Sequence, residues 1–132
     1  MLDLNKLDHI YLACGHTDMR KSIDGLSAIV QEEFQLDPFS SSLFLFCGRK
    51  NDRIKALYWD GDGFLLMYKR LEDGRFRWPR KQKEVKDLTH QQLRWLLEGL
   101  EIEQPKVIKK SVQKVWYKSL KNAIYKAYYG II

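Results

Sequence analysis

Three side chains capable of chemistry stand two residues apart near the start of the chain: Cys14, His16 and Asp18. A thiol, an imidazole and a carboxylate at that spacing are the raw material of a nucleophile–base pair or a metal site. They fall on what reads as one strand-to-helix connection, and a single Cys-x-His is far short of a zinc ligand set. Asp60 and Asp62 are the best pair of carboxylates for a two-metal centre, but the run Asp60-Gly61-Asp62-Gly63 is a hairpin turn that accounts for both acids without metal. His9 and His90 have no sequence neighbours that suggest ligation or general-base work. No cofactor, metal site or catalytic residue is therefore expected, and the protein reads as a binder before an enzyme.

The residues that remain are cations. Arg49, Lys50, Arg53, Lys55, Lys69, Arg70, Arg75, Arg77, Arg80 and Lys81 are concentrated in one segment, interleaved with Tyr58, Trp59, Phe64, Tyr68, Phe76 and Trp78. Lysine and arginine in such a surface contact phosphates and position a duplex without reading its sequence, unless an arginine reaches a guanine edge. Trp59 and Trp78 are candidates to stack on bases, although strand tryptophans more often belong to the core.

Charge along the chain points the same way. The 132 residues carry a net +6, and Lys106 to Ile132 alone holds seven lysines and no acid. The first 105 residues have 16 Lys+Arg against 17 Asp+Glu, yet Arg49 to Lys86 has twelve bases and six acids. A basic middle between acidic flanks, with a separate basic tail, favours a polyanionic partner or an anionic membrane surface.

The elements that must position these groups follow from periodicity. His9 to Cys14 reads as a strand; Thr17 reads as an N-cap, opening an amphipathic helix through Met19, Ile23, Leu26, Val30 and Phe34 that ends near Gln35. Leu43 to Phe46 is a buried apolar strand, and Arg53 to Trp59 and Phe64 to Leu71 form a hairpin. Asp73-Gly74 turns the chain into a short strand, Arg75 to Trp78, stopped by Pro79. Arg80 to Lys86 is a polar connector, and Thr89 caps a helix from Gln91 to Leu100 with Leu93, Leu96, Leu97 and Leu100 on its stripe. Residues Lys110 to Ala127 repeat as a basic amphipathic helix, separated from the rest by Pro105. The expectation is an α+β single domain, with a three- to four-stranded antiparallel meander flanked by helices (1–104) and a basic C-terminal helix (105–132).

Hydrophobic residues make up 45% of the chain, a globular composition. Two isolated cysteines fit a reducing compartment, and Met1 to Asp8 lacks the apolar run of a signal peptide. A cytoplasmic protein without membrane partners is expected.

Several motifs occur in a fixed order: Asp18-Met19-Arg20, Asp37-Pro38, Lys55-Ala56-Leu57-Tyr58-Trp59-Asp60, Gly63-Phe64, Tyr68-Lys69-Arg70-Leu71 and Gly74-Arg75-Phe76-Arg77-Trp78-Pro79. In these the chain resembles the accessory protein encoded by the second open reading frame of the IS66 insertion-sequence family, over about residues 8 to 100. The resemblance implies a role in transposition beside a separate, larger transposase that carries the strand-transfer chemistry. The function expected is a non-enzymatic accessory factor that binds double-stranded DNA at element ends and assists that transposase. The alternative is a protein-interaction adaptor for the transposase with no DNA contact of its own. A nuclease built on Asp60 and Asp62 is a third reading, set aside because the turn explains both acids.

Overall fold

The computed structural model describes residues 2–80, 84–106 and 108. The basic C-terminal helix expected beyond Pro105, and Lys81, lie outside the described residues. A five-stranded mixed sheet organises the rest. Its strands are β1 (His9–Ala13), β2 (Ser42–Cys47), β3 (Arg53–Trp59), β4 (Phe64–Arg70) and β5 (Val85–Asp87), in the order β4-β3-β2-β1-β5. β1 and β2 run parallel, with Ile10 opposite Leu43 and Tyr11 opposite Phe44. The other three pairings are antiparallel. The α+β class and the β2-β3-β4 meander match the sequence expectation, and the sheet extends beyond that meander on the β1 side.

β2 is central and buried along its whole length, which is why its sequence from Leu43 onward is continuously apolar and not alternating. Leu43, Leu45 and Cys47 face one core with Ile10, Leu12, Ile54, Phe76, Trp78, Leu93 and Leu96. Phe44 and Phe46 face the other, where Leu26 and Val30 cover the sheet. Those two belong to the crossover between the parallel strands: helix α1 (Ile23–Ala28), continued by a wider π-type turn over Ile29–Glu33. The chain leaves that turn through Gln35 at φ 54, a left-handed residue that ends the helix.

Turn chemistry fixes the hairpin. The Asp60 N–H donates to the Gly63 carbonyl at 2.8 Å, and Gly61 takes φ +83, so Trp59 pairs with Phe64 and the register runs to Arg53 opposite Arg70. Helix α2 (His90–Leu97) begins at a reciprocal capping box. The Gln92 N–H donates to Thr89 Oγ1 at 3.1 Å, and the Thr89 N–H donates to Gln92 Oε1 at 3.0 Å. Thr89→Ala is expected to cost about 1 kcal/mol, read as a shift in the urea midpoint.

Four local expectations are corrected. Thr17 does not cap a helix: its N–H donates to the Cys47 carbonyl at 2.8 Å, and the helix starts only at Ile23. Arg75 to Trp78 is not a strand. Phe76 and Trp78 do alternate inward, but they lid the sheet, and the Trp78 Nε1–H donates to the Ala13 carbonyl at 2.8 Å. The charged connector instead supplies β5, an edge strand whose Lys86 and Asp87 suit a solvent-facing rim. On α2, Leu93 and Leu96 are buried, while Leu97 and Leu100 are exposed. No described helix is long and apolar enough to cross a membrane.

Candidate nucleic-acid interface

Parallel strands leave an opening beyond their carboxyl ends, because the chain departs each of them in a different direction. Here the departures are the Cys14–Ser22 connection after β1 and the Gly48–Asp52 turn after β2. Between them lies a cleft of about 700 Å³, lined by His16, Thr17, Asp18, Met19 and Arg20 from the first segment. Gly48, Arg49, Lys50, Asp52 and Arg53 line it from the second, with Arg80 closing one side.

Hydrogen bonds hold both walls. The Gly15 N–H donates to the Pro79 carbonyl at 2.8 Å, and the Thr17 bond to Cys47 ties the first wall to the end of β2. The Arg80 guanidinium clamps the second wall, donating to the Arg49 carbonyl at 2.8 Å and to the Asn51 carboxamide oxygen. Arg80 is thus largely occupied in holding the turn. Across the cleft, Arg49 Nη2 stands 3.4 Å from His16 Nε2. The Asp18 carboxylate accepts from the Arg20 N–H at 2.9 Å and from the guanidinium at 2.7 Å. Those bonds from Arg20 hold the Asp18 carboxyl well below the usual carboxylate range, so it stays ionised under ordinary conditions.

A second hollow of about 580 Å³ adjoins the cleft, sharing Asp18, Met19, Arg20 and Arg53 with it and adding Lys55, Leu66 and Tyr68. Strand alternation puts Arg53, Lys55, Tyr68 and Arg70 on the α1 side of the sheet. Lys55 Nζ donates to the Lys21 carbonyl at 2.7 Å and sits 5.8 Å over the Tyr68 ring. Arg53 and Arg70 face each other in register, a like-charge pairing that costs stability. Each leans on a neighbouring acid instead: Arg70 on Glu72 at 3.0 Å, Arg53 on Asp52 at 3.8 Å.

The nine described cations among the ten named from sequence therefore do not form one surface. Arg49, Lys50, Arg53 and Arg80 meet in the cleft, and Lys55 and Arg70 continue the same side. Lys69 alternates onto the opposite face, and Arg75 and Arg77 line a separate hollow with Glu84, Glu101 and Glu103. Arg20 and His16 join the cleft without having been singled out as DNA contacts. The sequence offers His16 only within the Cys14-His16-Asp18 spacing and Arg20 only within the Asp18-Met19-Arg20 motif. Trp78 is core, and Trp59 packs edge-on to Phe39 and Phe64 at the far end of the sheet. That far end carries Asp8, Asp37, Asp60, Asp62 and Asp87 in its strand ends and loops, so the sheet is electrically polarised along its strands.

Cys47 lies buried beneath the cleft, and burial pushes its thiol up to about 12, against a smaller opposing pull from Arg80. Burial raises Cys14 as well. Both thiols should resist Ellman's reagent at pH 8 in the native protein and react promptly in denaturant; fast native labelling of either would contradict this. A pKa raised in the fold stabilises below the unfolded value, so the Cys47 contribution is expected to fade as pH rises from about 8.5 toward 12. Among the described residues, no three His, Cys, Asp or Glu side chains stand close enough to hold a metal ion.

A family model described as "IS66 Orf2 like protein" matches residues 8–107. Two proteins of Sinorhizobium fredii (strain NBRC 101917 / NGR234) are similar to the chain. "Uncharacterized protein y4hO" is 37% identical over 105 residues, covering 80% of this chain and 91% of that protein. "Uncharacterized protein y4jC" is 32% identical over 92 residues, covering 70% and 79%. No solved structure matches. With a family model spanning most of its length, the chain belongs to the IS66 Orf2-like family, the accessory proteins of a group of insertion sequences.

Proposed function

We propose that this protein is a non-enzymatic accessory factor of transposition that acts in the cytoplasm, grips double-stranded DNA at the ends of its insertion sequence and assists a separate, larger transposase. The observation that carries the reading is the convergence of Arg20, Arg49, Lys50 and Arg53 on one cleft at the carboxyl ends of the parallel strands. One of these comes from the crossover wall and three from the facing turn and strand, so only the fold brings them together. Guanidinium groups in such a cluster donate in pairs to phosphate oxygens. Lys55 and Arg70 extend the positive potential along the same side of the sheet, while the acidic far end orients the molecule against a polyanion.

The test is fluorescence anisotropy with duplex DNA carrying the element's terminal inverted repeat, against a scrambled duplex, over a salt series. Tighter binding to the repeat that weakens steeply with salt supports the end-binding factor. Equal, salt-sensitive binding to both reduces it to a non-specific clamp. Absence of binding at low salt, together with co-purification of the transposase, favours the adaptor that meets the transposase alone.

A further inference from the structure

Two features of the cleft are not explained by a track for a continuous phosphate backbone. The first is an open acceptor. Asp18 is taken up by Arg20, but Asp52 Oδ1 is buried and accepts no hydrogen bond among the described residues. Beside it, Arg53 Nε is also buried and likewise without a partner; at 3.8 Å the two are too far apart to satisfy each other. Those two atoms have no accessible surface, but the Asp52 and Arg53 side chains are 26% and 41% exposed and line the cleft, so a ligand there meets the second carboxylate oxygen and the end of the guanidinium. A carboxylate there repels phosphate and is useful only to a ligand that also donates a hydrogen bond. The second feature is shape. The cleft is a concavity of about 700 Å³ between two loops, within the range of small-molecule pockets and large enough for one nucleotide.

We infer that the cleft takes one terminal nucleotide of a DNA strand. Its phosphate is held by Arg20, Arg49 and Arg53, and its sugar hydroxyl or base amine donates to Asp52. The inference rests on the DNA-binding reading and sharpens it: the protein recognises where a strand stops. At a strand terminus a nucleotide is free to leave the stack and presents both a phosphate and an unesterified hydroxyl. Inside a closed duplex, extruding one costs unstacking and unpairing energy.

The experiment is an anisotropy competition with the full chain. A labelled, blunt, 5′-phosphorylated duplex is displaced by the same duplex unlabelled, by that duplex sealed at both ends with hexaethylene-glycol linkers, or by a deoxynucleoside 5′-monophosphate. The open duplex is expected to compete about tenfold better than the sealed one, the scale of one hydrogen bond to a charged group. Asp52→Asn should shrink the ratio of open-duplex to sealed-duplex affinity, whatever it does to the two affinities separately. Arg49→Gln should weaken open duplex more than sealed. Equal competition by open and sealed duplex overturns the inference and leaves the DNA reading standing. Displacement by the mononucleotide as effective as by the open duplex also overturns it, assigning the cleft to free nucleotides. Failure of every DNA to bind overturns both readings together.

Discussion

Replacing Arg49 and Arg53 together by alanine is expected to weaken duplex binding roughly 100-fold, about tenfold for each charge-assisted contact removed. The same variant should flatten the slope of log affinity against log salt by about 2, since each phosphate contact contributes close to one unit. Both residues line the cleft, and the ion pair lost with them is a long one, Arg53 to Asp52 at 3.8 Å. Lys69→Ala supplies the internal contrast. It removes the same charge from the opposite face of β4, across from Ile54, and should change affinity by no more than about twofold. Arg77→Ala, in the hollow shared with Glu84, Glu101 and Glu103, is expected to behave like Lys69→Ala. If the Lys69 and Arg77 variants lose as much as the cleft variant, binding is diffuse and the cleft is not its centre.

Trp78→Ala is expected to be the most destabilising single change in the described chain, at about 3–5 kcal/mol. The indole is 5% exposed in the cluster that also holds Phe76, Leu93 and Leu96, and it donates to the Ala13 carbonyl of β1. Truncation removes that packing and leaves a buried carbonyl open at the same time. Trp78→Phe separates the two effects: it keeps much of the bulk, loses the hydrogen bond and should cost about 1–3 kcal/mol. Since small domains hold only about 5–15 kcal/mol in total, Trp78→Ala should move the urea midpoint sharply with the slope unchanged. Arg77, exposed next to it, should matter by no more than about 0.5 kcal/mol when replaced by alanine. A Trp78→Ala cost below about 1 kcal/mol would mean that this segment does not lid the sheet.

The same segment shows how far the sequence could be read. Arg75 to Trp78 alternates polar and apolar residues, the pattern of a half-buried strand, and the alternation is real. Burying every second side chain against a sheet face requires extended backbone, not a hydrogen-bonded neighbour, so periodicity could not tell the two apart. β5 was missed for the complementary reason: a three-residue edge strand of Val85, Lys86 and Asp87 carries the charges that edges favour and reads as a connector. Where local chemistry decides, sequence and structure agree. The Asp60–Gly63 turn set the hairpin, Thr89 capped α2, and Arg53–Trp59 matched the observed strand.

The cleft was legible in halves. Arg49, Lys50, Arg53 and Arg80 stood out as part of a basic run, but linear density could not sort them from Lys69, Arg75 and Arg77. Strand alternation separates Lys69 from Lys55, and the sorting of Arg75 and Arg77 depends on which loop folds over which face. Arg20 and His16 lie about thirty residues upstream and reach Arg49 only because β1 and β2 pair in parallel through a crossover. No local pattern announces a parallel pairing of that separation. The start of the helix differs for a related reason: Asp18 pairs with Arg20 and the Thr17 backbone N–H donates to the Cys47 carbonyl, so this stretch is held along the cleft wall and the helix begins only at Ile23.

The central claim is that DNA meets the cleft end of the sheet, and an amide NMR titration of the full chain with the terminal-repeat duplex tests it most directly. The account predicts shifts concentrated in residues 15–20 and 48–53, with Lys55 and Arg70 following. The amides around Asp37 and Asp60 to Gly63, at the acidic far end, should remain in place. Shifts centred on that acidic end or on the Arg75–Arg77 hollow, with the cleft unmoved, would contradict it.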